Sequence, residues 1–536
     1  LKELGADLAP TAKEQGFIEK FYLYLALTKA SERLYLCWSE SGDDGKALRP
    51  SAYLGTLMRL FPDQTVSREE TELEADSARC WESVVNRESG MKLIASGLAL
   101  SREQELSDEW KEVYGYFRTE EKNQREIDRL LDATFGGFKQ EQIRKAVSRQ
   151  LYGQQIYGSV SRLEAQAACA YRQFLTYGLR LSKRQEYEFA AVDMGNLFHQ
   201  SLEICFARLK DEGLNVGEIS EEYRKKLVSE SVSEVAASYG NTILGSSARN
   251  QYLTSRIERI TDRTLWAVGE QTRRGEMVPT EFEMSFSGRE DEVLRLKLDD
   301  EVTMNLRGRI DRVDVYEDDA SVYVRILDYK SGMESFDLNR IYHGLQLQLV
   351  VYLGAVLERE RKLHPDKAVE PAGVFYFHIN DPVIDSDRML DRDMADRQIL
   401  EKLKLDGMVL ADEKAIRLQD REFTGKSAVI PVTEKDGVIQ MEKSKAAGRQ
   451  QFARLTEHVK EKMTEFGKGI VDGNIPVNPY RLKGRSACDY CDFSAVCGFD
   501  TRLPGCRYRQ LKVMDDKTVW EKMNKEGEAD GDQVDR

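Results

Sequence analysis

"GRIDRVDVYEDDASVYVRILDYKSG", residues 308–332, contains two alternating stretches on either side of the short acidic segment YEDDAS. The alternation predicts two strands, and the short connection predicts that they pair antiparallel. Asp311 is expected to close the first strand. Asp328 and Lys330 end the second strand and share a face, because side chains alternate with a period of two. The hairpin therefore predicts two carboxylates and one ammonium at one edge of a sheet.

These charged groups have the composition of a metal-dependent hydrolytic site. Carboxylate oxygens bind Mg²⁺, and a lysine beside the metal can orient or deprotonate a water and stabilise developing negative charge. For any one aspartate, a solvated loop end is the simpler interpretation. The set of three favours a site, since it follows apolar strands where an unpaired charge is costly.

The segments around the hairpin predict a mixed α/β domain. Upstream lie a helix that carries His199 and a strand, TEFEMSF. Downstream, an apolar helix places Gln348 and Tyr352 on one face, because they are four residues apart, and AGVFYFHI follows as a buried strand. This order of elements predicts a mixed central sheet flanked by helices on both faces.

The order His on a helix, GRIDR, LDYKSG and Gln-x-x-x-Tyr resembles the RecB-like branch of the PD-(D/E)xK nucleases. The resemblance implies that Mg²⁺, with Mn²⁺ as an alternative, is held by the side chains of His199, Asp311 and Asp328 and by the carbonyl of Tyr329. It implies that Lys330 acts on the attacking water. It also implies that Gln348 and Tyr352 form a supporting motif near the DNA.

Four of the eight cysteines form a second pattern. CDYCDFSAVC contains Cys488, Cys491 and Cys497, and Cys169 precedes the nuclease-like segments. Such a set can hold zinc or an iron–sulfur cluster. Its arrangement resembles the [4Fe–4S] staple of AddB-type subunits and of CRISPR-associated nucleases. Closing a loop of roughly 320 residues has a length-dependent entropy term of about 5 kcal/mol, so loss of the cluster is expected to loosen the domain.

The N-terminal segment YLALTKASERLYL resembles the last conserved motif of UvrD-like helicases, with Lys29 where an arginine contacts the γ-phosphate. Lysine lacks the bidentate fork of arginine. Gly425, Lys426 and Ser427 also fail to complete a phosphate loop, because the position of its first glycine is Asp420. We therefore expect no ATP site within this chain.

A change of character near residue 150 predicts a domain boundary. A new amphipathic helix follows, with Ser161 as the expected N-cap and Glu164 three residues later. Three regions are predicted: 1–150, the C-terminal part of an inactivated, mostly helical helicase-like module; 151–515, the RecB-type nuclease domain closed by four cysteines; and 516–536, a frayed acidic tail.

Together these segments resemble the C-terminal part of AddB-type subunits of bacterial ATP-dependent helicase–nucleases (AddAB or RexAB). The resemblance implies a heterodimer with an AddA-type helicase–nuclease subunit. It further implies DNA as substrate and Mg²⁺-dependent exonuclease action on the 5′-ended strand during repair of double-strand breaks. A catalytically silent DNA-binding scaffold in the same complex is the alternative.

Composition limits the class of protein to which the chain can belong. The chain has 536 residues, 41% of them apolar, and a net charge of −14. It contains no apolar run of membrane-spanning length and no export signal, so we expect a soluble cytoplasmic protein. The negative net charge is weak evidence either for or against DNA binding, since a basic channel can be local. Position 1 is Leu, which suggests a piece of a longer polypeptide.

Overall fold

The computed structural model describes residues 10–42, 46–67, 80–136, 142–184, 191–239, 244, 247–287, 294–332, 334–386, 390–421, 423–503 and 505–534. The chain divides into two compact units, Leu1–Leu130 and Leu131–Arg536. None of the described helices has the length and apolar composition that crossing a membrane requires.

Helices form the framework of the first unit. They are α1 (Ala12–Thr28), α2 (Ala52–Leu60), α3 (Arg87–Leu100), α4 (Asp108–Thr119) and α5 (Glu121–Phe135). The α1 and α2 helices bury none of their residues. In contrast, α3 and α4 pack closely, because Gly97 leaves room for the ring of Trp110, whose Nε1 donates to the carbonyl of Leu93 at 3.1 Å.

The second unit is organised around a mixed sheet. Its strands are β1 (Gln155–Gly158), β2 (Val278–Ser287), β3 (Arg295–Lys297), β4 (Thr303–Glu317), β5 (Ser321–Lys330), β6 (Ala368–His378), β7 (Asp406–Leu410) and, after the small hairpin of β8 (Glu434–Lys435) and β9 (Val438–Ile439), β10 (Ala446–Ala447). The order is β1-β4-β5-β6-β7-β10, and β2 and β3 also pair with β4. The β4–β5 hairpin is antiparallel, as predicted, whereas β5 and β6 are parallel.

Helices cover both faces of this sheet. They are α6 (Lys145–Tyr152), α7 (Val160–Ala168), α8 (Ala170–Gln173), α9 (Ala191–Asp211), α10 (Glu221–Ser238), α11 (Ala248–Arg274), α12 (Leu338–Tyr342), α13 (Gln348–Leu363), α14 (Arg392–Lys402), α15 (Glu413–Arg417) and α16 (Arg449–Val471). Val324 and Ile326 of β5 pack with α13 and α16, whereas Leu327 packs with α9, α10 and α11. The predicted fold class is confirmed.

The C-terminal region is more ordered than the sequence suggested. A small sheet of β11 (Tyr480–Leu482), β12 (Arg485–Ser486) and β13 (Arg509–Gln510) surrounds α17 (Ser494–Cys497), and α18 spans Asp516–Val534. The expectation of a frayed tail over 516–536 is wrong for its first part. Val519 and Met523 are buried in the main core, because their spacing of four places them on one face of α18.

The division between the units also differs from the expected boundary near 150. It falls between Leu130 and Leu131, so α6 belongs to the second unit. Ser148 of α6 donates from Oγ to the carbonyl of Ile470 at 2.7 Å. Ser159 rather than Ser161 caps α7, which frees Glu164 from the expected local cap.

Candidate active site

The β4–β5 hairpin brings together the charged residues that its sequence predicted. Arg312 pairs with Leu327, so the next position places Asp311 across from Asp328. Asp311 accepts a hydrogen bond at Oδ2 from the backbone N–H of Tyr329 at 2.7 Å. The expectation that Asp311 closes its strand is wrong, because β4 runs on in both directions along β2 and Asp311 lies in its interior.

His199 and a residue that the sequence did not reveal approach Asp311. Nδ1 of His199, on α9, lies 3.0 Å from Oε1 of Glu283 and 3.7 Å from Oδ1 of Asp311. The ligand atoms of these three residues all lie within 4.8 Å of one another. Glu283 has a φ of 48°, a left-handed conformation that a non-glycine residue rarely adopts. Its side chain is only 8% exposed, so β2 turns this carboxylate toward the histidine.

Arg309 holds Glu283 in place. Its Nε lies 2.7 Å from Oε2 of Glu283, and its Nη2 lies 2.6 Å from Glu203 on α9. Arg309 therefore ties β4 to both β2 and α9 beside the site. Glu283 lies within the predicted strand TEFEMSF, where nothing except an acidic residue between two apolar neighbours marked it.

Lys330 anchors a second group of contacts. Its Nζ lies 2.7 Å from Oδ2 of Asp328 and donates to Oε1 of Gln348 at 3.1 Å. Nε2 of Gln348 donates to the hydroxyl of Tyr352 at 3.0 Å. The predicted pairing of Gln348 and Tyr352 on one helical face is thus present, and α13 begins at Gln348.

Burial and repulsion between carboxylates shape the electrostatics of the site. Burial and the charge of Asp328 raise the pKa of Asp311 to about 8. Burial also raises the pKa of Asp328, even though Lys330 opposes the shift. Burial would lower the pKa of Lys330 and of His199, but the surrounding carboxylates raise both. Buried carboxylates with raised pKa values in a cluster are typical of functional sites.

This donor set fits a divalent cation. His199, Glu283 and Asp311 offer an imidazole nitrogen and carboxylate oxygens, and a hard cation takes oxygen ligands. Among the described residues, Asp328 lies outside this close group and pairs with Lys330 instead. A cation would relieve the repulsion that raises the pKa of Asp311, because opposite charge favours the ionised carboxylate.

The four predicted cysteines approach one another elsewhere in the unit. Cys169 follows α7, and its loop is tied to the C-terminal region by hydrogen bonds from the N–H of Ala170 to Asn478 at 2.9 Å and from the N–H of Tyr171 to Pro476 at 3.1 Å. Burial raises the pKa of Cys488, and the other three thiols raise it further. Yet among the residues searched, no three of these sulfur atoms lie within 4.8 Å of one another.

Comparison with known proteins identifies the family of the chain. Residues 158–498 match the PD-(D/E)XK nuclease superfamily, and the chain belongs to it. The curated proteins that it resembles are ATP-dependent helicase/deoxyribonuclease subunits B. The chain is 38% identical to that of Lachnoclostridium phytofermentans over 98% of its own length and 45% of the relative. It is 35% identical to that of Bacillus subtilis, over 99% of the chain and 46% of the relative. The chain thus spans less than half the length of these relatives, and its resemblance to AddB-type subunits is confirmed.

Proposed function

We propose that this chain is the nuclease part of a helicase–nuclease B subunit and hydrolyses DNA phosphodiester bonds with Mg²⁺. The observation that carries the proposal is the meeting of His199, Glu283 and Asp311 next to the Asp328–Lys330 pair. A superfamily of nucleases and relatives named deoxyribonuclease subunits support the same chemistry.

Each side chain of the site has a role in this proposal. His199, Glu283 and Asp311 would hold Mg²⁺, and Asp328 with the carbonyl of Tyr329 completes the set that the superfamily resemblance implies. A bound Mg²⁺ supplies Lewis acidity toward the phosphate and lowers the pKa of a water.

Lys330 orients the attacking water or a phosphate oxygen. Its raised pKa keeps it an ammonium, which donates hydrogen bonds and cannot accept a proton. Gln348 fixes the ammonium through its Oε1, and Tyr352 fixes the amide of Gln348. This arrangement favours orientation of the water by Lys330 over its deprotonation.

The wider assignment follows from the relatives. Their names contain a helicase activity and a subunit letter, which supports a DNA substrate and a partner of AddA type. Within such a complex in the cytoplasm, this site would act as an exonuclease on the 5′-ended strand at double-strand breaks, as the resemblance implies.

The four cysteines are proposed to hold a [4Fe–4S] cluster rather than zinc. The electrostatic effect of Cys169, Cys491 and Cys497 on the thiol of Cys488 supports a site that all four share. Anaerobically purified protein should be brown with absorbance near 400 nm. Cys491→Ser should lower its melting temperature, and equal melting temperatures would contradict the staple.

The decisive experiment measures Mg²⁺-dependent cleavage of end-labelled single-stranded DNA by anaerobically purified protein. Lys330→Ala should abolish cleavage. Lys414→Ala, which removes a surface ion pair with Asp318, is the matched control and should cut like the wild type. If the wild type binds DNA and cuts it neither alone nor with an AddA-type subunit, the scaffold alternative is correct.

A further inference from the structure

Glu164 caps a helix that is not its own. Its Oε1 accepts hydrogen bonds from the backbone N–H groups of Leu347 at 2.6 Å and Gln348 at 3.2 Å, at the start of α13. The N-cap residue Leu347 provides no side-chain hydrogen bond. The first N–H groups of a helix lack partners within it, and a carboxylate there also interacts favourably with the helix dipole.

Several other helices of this unit are capped locally, although α6 and α8 also begin without a side-chain cap. Ser220 caps α10 and Asp391 caps α14, each through its own side chain. At α13 the N-cap position is taken by Leu347, which is buried in the main core. The acceptor therefore comes from α7, more than 180 residues earlier in the chain, and couples the start of α13 to a separate element.

The capped residue is the one that holds Lys330. Gln348 donates a hydrogen bond from its backbone N–H to Glu164 and accepts one at Oε1 from the ammonium of Lys330. We propose that Glu164 is a positioning residue of the nuclease site, which fixes the start of α13 and, through Gln348, the ammonium of Lys330. This inference rests on the proposed function and adds a member to its site.

The surroundings of Glu164 agree with a role at the site. Burial raises the pKa of Glu164 to about 7, whereas the two N–H groups and Lys330 oppose the shift. The carboxyl group lies within electrostatic reach of both Lys330 and Glu334.

Two substitutions separate the hydrogen-bond role from other roles. Glu164→Leu removes the acceptor and should lower kcat by about 10²-fold, the usual effect of misplacing a catalytic group, with the KM for DNA unchanged. Glu164→Gln retains an acceptor oxygen and should recover most of that rate. If Glu164→Gln loses as much rate as Glu164→Leu, the charge itself is required and positioning by hydrogen bond is wrong.

A double-mutant cycle tests whether the effect passes through Gln348. The double variant Glu164→Leu/Gln348→Leu should be no slower than the slower single variant, because residues that act as one unit are not additive. Additive losses would contradict the proposal. Ser220→Ala removes a local cap from α10 and is the matched control, which should lower the melting temperature without changing kcat.

A second readout does not depend on cleavage. Labelling of Lys330 by an amine-reactive ester, followed by mass spectrometry, should rise several-fold in Glu164→Leu and stay near the wild-type level in Glu164→Gln. If the wild type does not cut DNA but this labelling pattern holds, the proposed function fails and the positioning contact stands. If the wild type cuts and neither labelling nor kcat responds, the positioning role is wrong. If Glu164→Leu does not fold, Glu164→Asp is used in its place, because the shorter side chain withdraws the acceptor oxygen by one methylene.

Discussion

Asp311 and Asp314 lie three residues apart on the same strand, and their surroundings are opposite. Asp314 is fully buried between two guanidinium groups. Its carboxylate accepts two hydrogen bonds of 2.6 Å from Arg312 and one of 2.9 Å from Nε of Arg325. Burial alone would raise the pKa of Asp314, but the two arginines hold it below its usual range. The pKa of Asp311, in contrast, is raised to about 8.

The difference separates a structural charge cluster from a functional one. Around Asp314 the carboxylate is paired within the protein, because both neighbouring guanidinium groups donate to it. Two arginines share one carboxylate, so Asp314 raises the pKa of Arg312, whereas burial together with Arg312 lowers the pKa of Arg325. Around Asp311, burial and the charges of Asp328 and Glu283 outweigh the attraction of His199. The first arrangement forms when the chain folds, and we propose that a bound cation completes the second.

The largest expected effect is on catalysis. Asp311→Asn should lower Mg²⁺-dependent DNA cleavage by about 10³-fold, as loss of a group that stabilises charge in a transition state does. The metal-free variant should unfold at the same temperature as the wild type or higher, because the substitution removes repulsion with Asp328. Cleavage rates and melting curves of the two proteins test this. A folded Asp311→Asn protein that cuts at the wild-type rate would remove Asp311 from the site.

Removing the carboxylate of Asp314 should instead lower the stability of the protein. Asp314→Ala leaves two buried guanidinium groups unpaired and should lower the free energy of unfolding by about 3–5 kcal/mol, measured by urea denaturation. Asp318→Ala, which removes an exposed ion pair with Lys414 and two turn hydrogen bonds from Ala320 and Ser321, is the control and should lower the free energy of unfolding far less. Equal losses in the two variants would contradict the structural assignment of Asp314.

Addition of metal should distinguish the two clusters directly. At a Mg²⁺ concentration about 100-fold above Kd, the wild type should gain about 2.7 kcal/mol of stability, because the cation binds only the folded protein. Asp311→Asn should gain much less. Melting temperature is followed as Mg²⁺ is titrated into chelator-treated protein, and an equal rise in both proteins would place the cation elsewhere.

Taken over one pH unit, the smallest expected effect is the change in stability of the metal-free protein with pH. Asp311 has a folded pKa of about 8 and an ordinary value of 3.8, so between these values the folded state keeps a proton that the unfolded state has lost. Stability from this group is therefore present below about pH 4 and is lost as pH rises toward 8, with a slope of at most about 1.4 kcal/mol per pH unit. The stability contributed by Asp314 depends on pH in the opposite direction, because its pKa is lowered, and this contribution is lost as pH falls.

A comparison of variants isolates this term. The unfolding free energy of the wild type minus that of Asp311→Asn should fall as pH rises from about 4 to about 8. Chelator is present throughout, so that binding of a cation does not mask the titration. A difference that stays flat or rises over this range would show that the carboxyl group is not protonated in the folded state.

The hairpin, the mixed sheet and most of the site could be predicted from the sequence. A period of two placed Asp328 with Lys330, and a period of four placed Gln348 with Tyr352; both pairs are in contact. Glu283 could not be predicted, because a φ of 48° interrupts the alternation that strand periodicity relies on. The capping of α13 by Glu164 could not be predicted for another reason. Leu347 shows no capping pattern, and the acceptor of its N–H lies on α7.

The sequence by itself determined the elements and the pairs of residues within each element, because strand and helix periods act over a few positions. Only the tertiary structure decided which aspartate is fully paired with cationic side chains. Asp311 and Asp314 have the same side chain on the same strand, and their pKa values shift in opposite directions because different residues from β5, β2 and α9 surround them. The pKa of each aspartate depends on charges that lie far apart in the chain, and only folding brings those charges together.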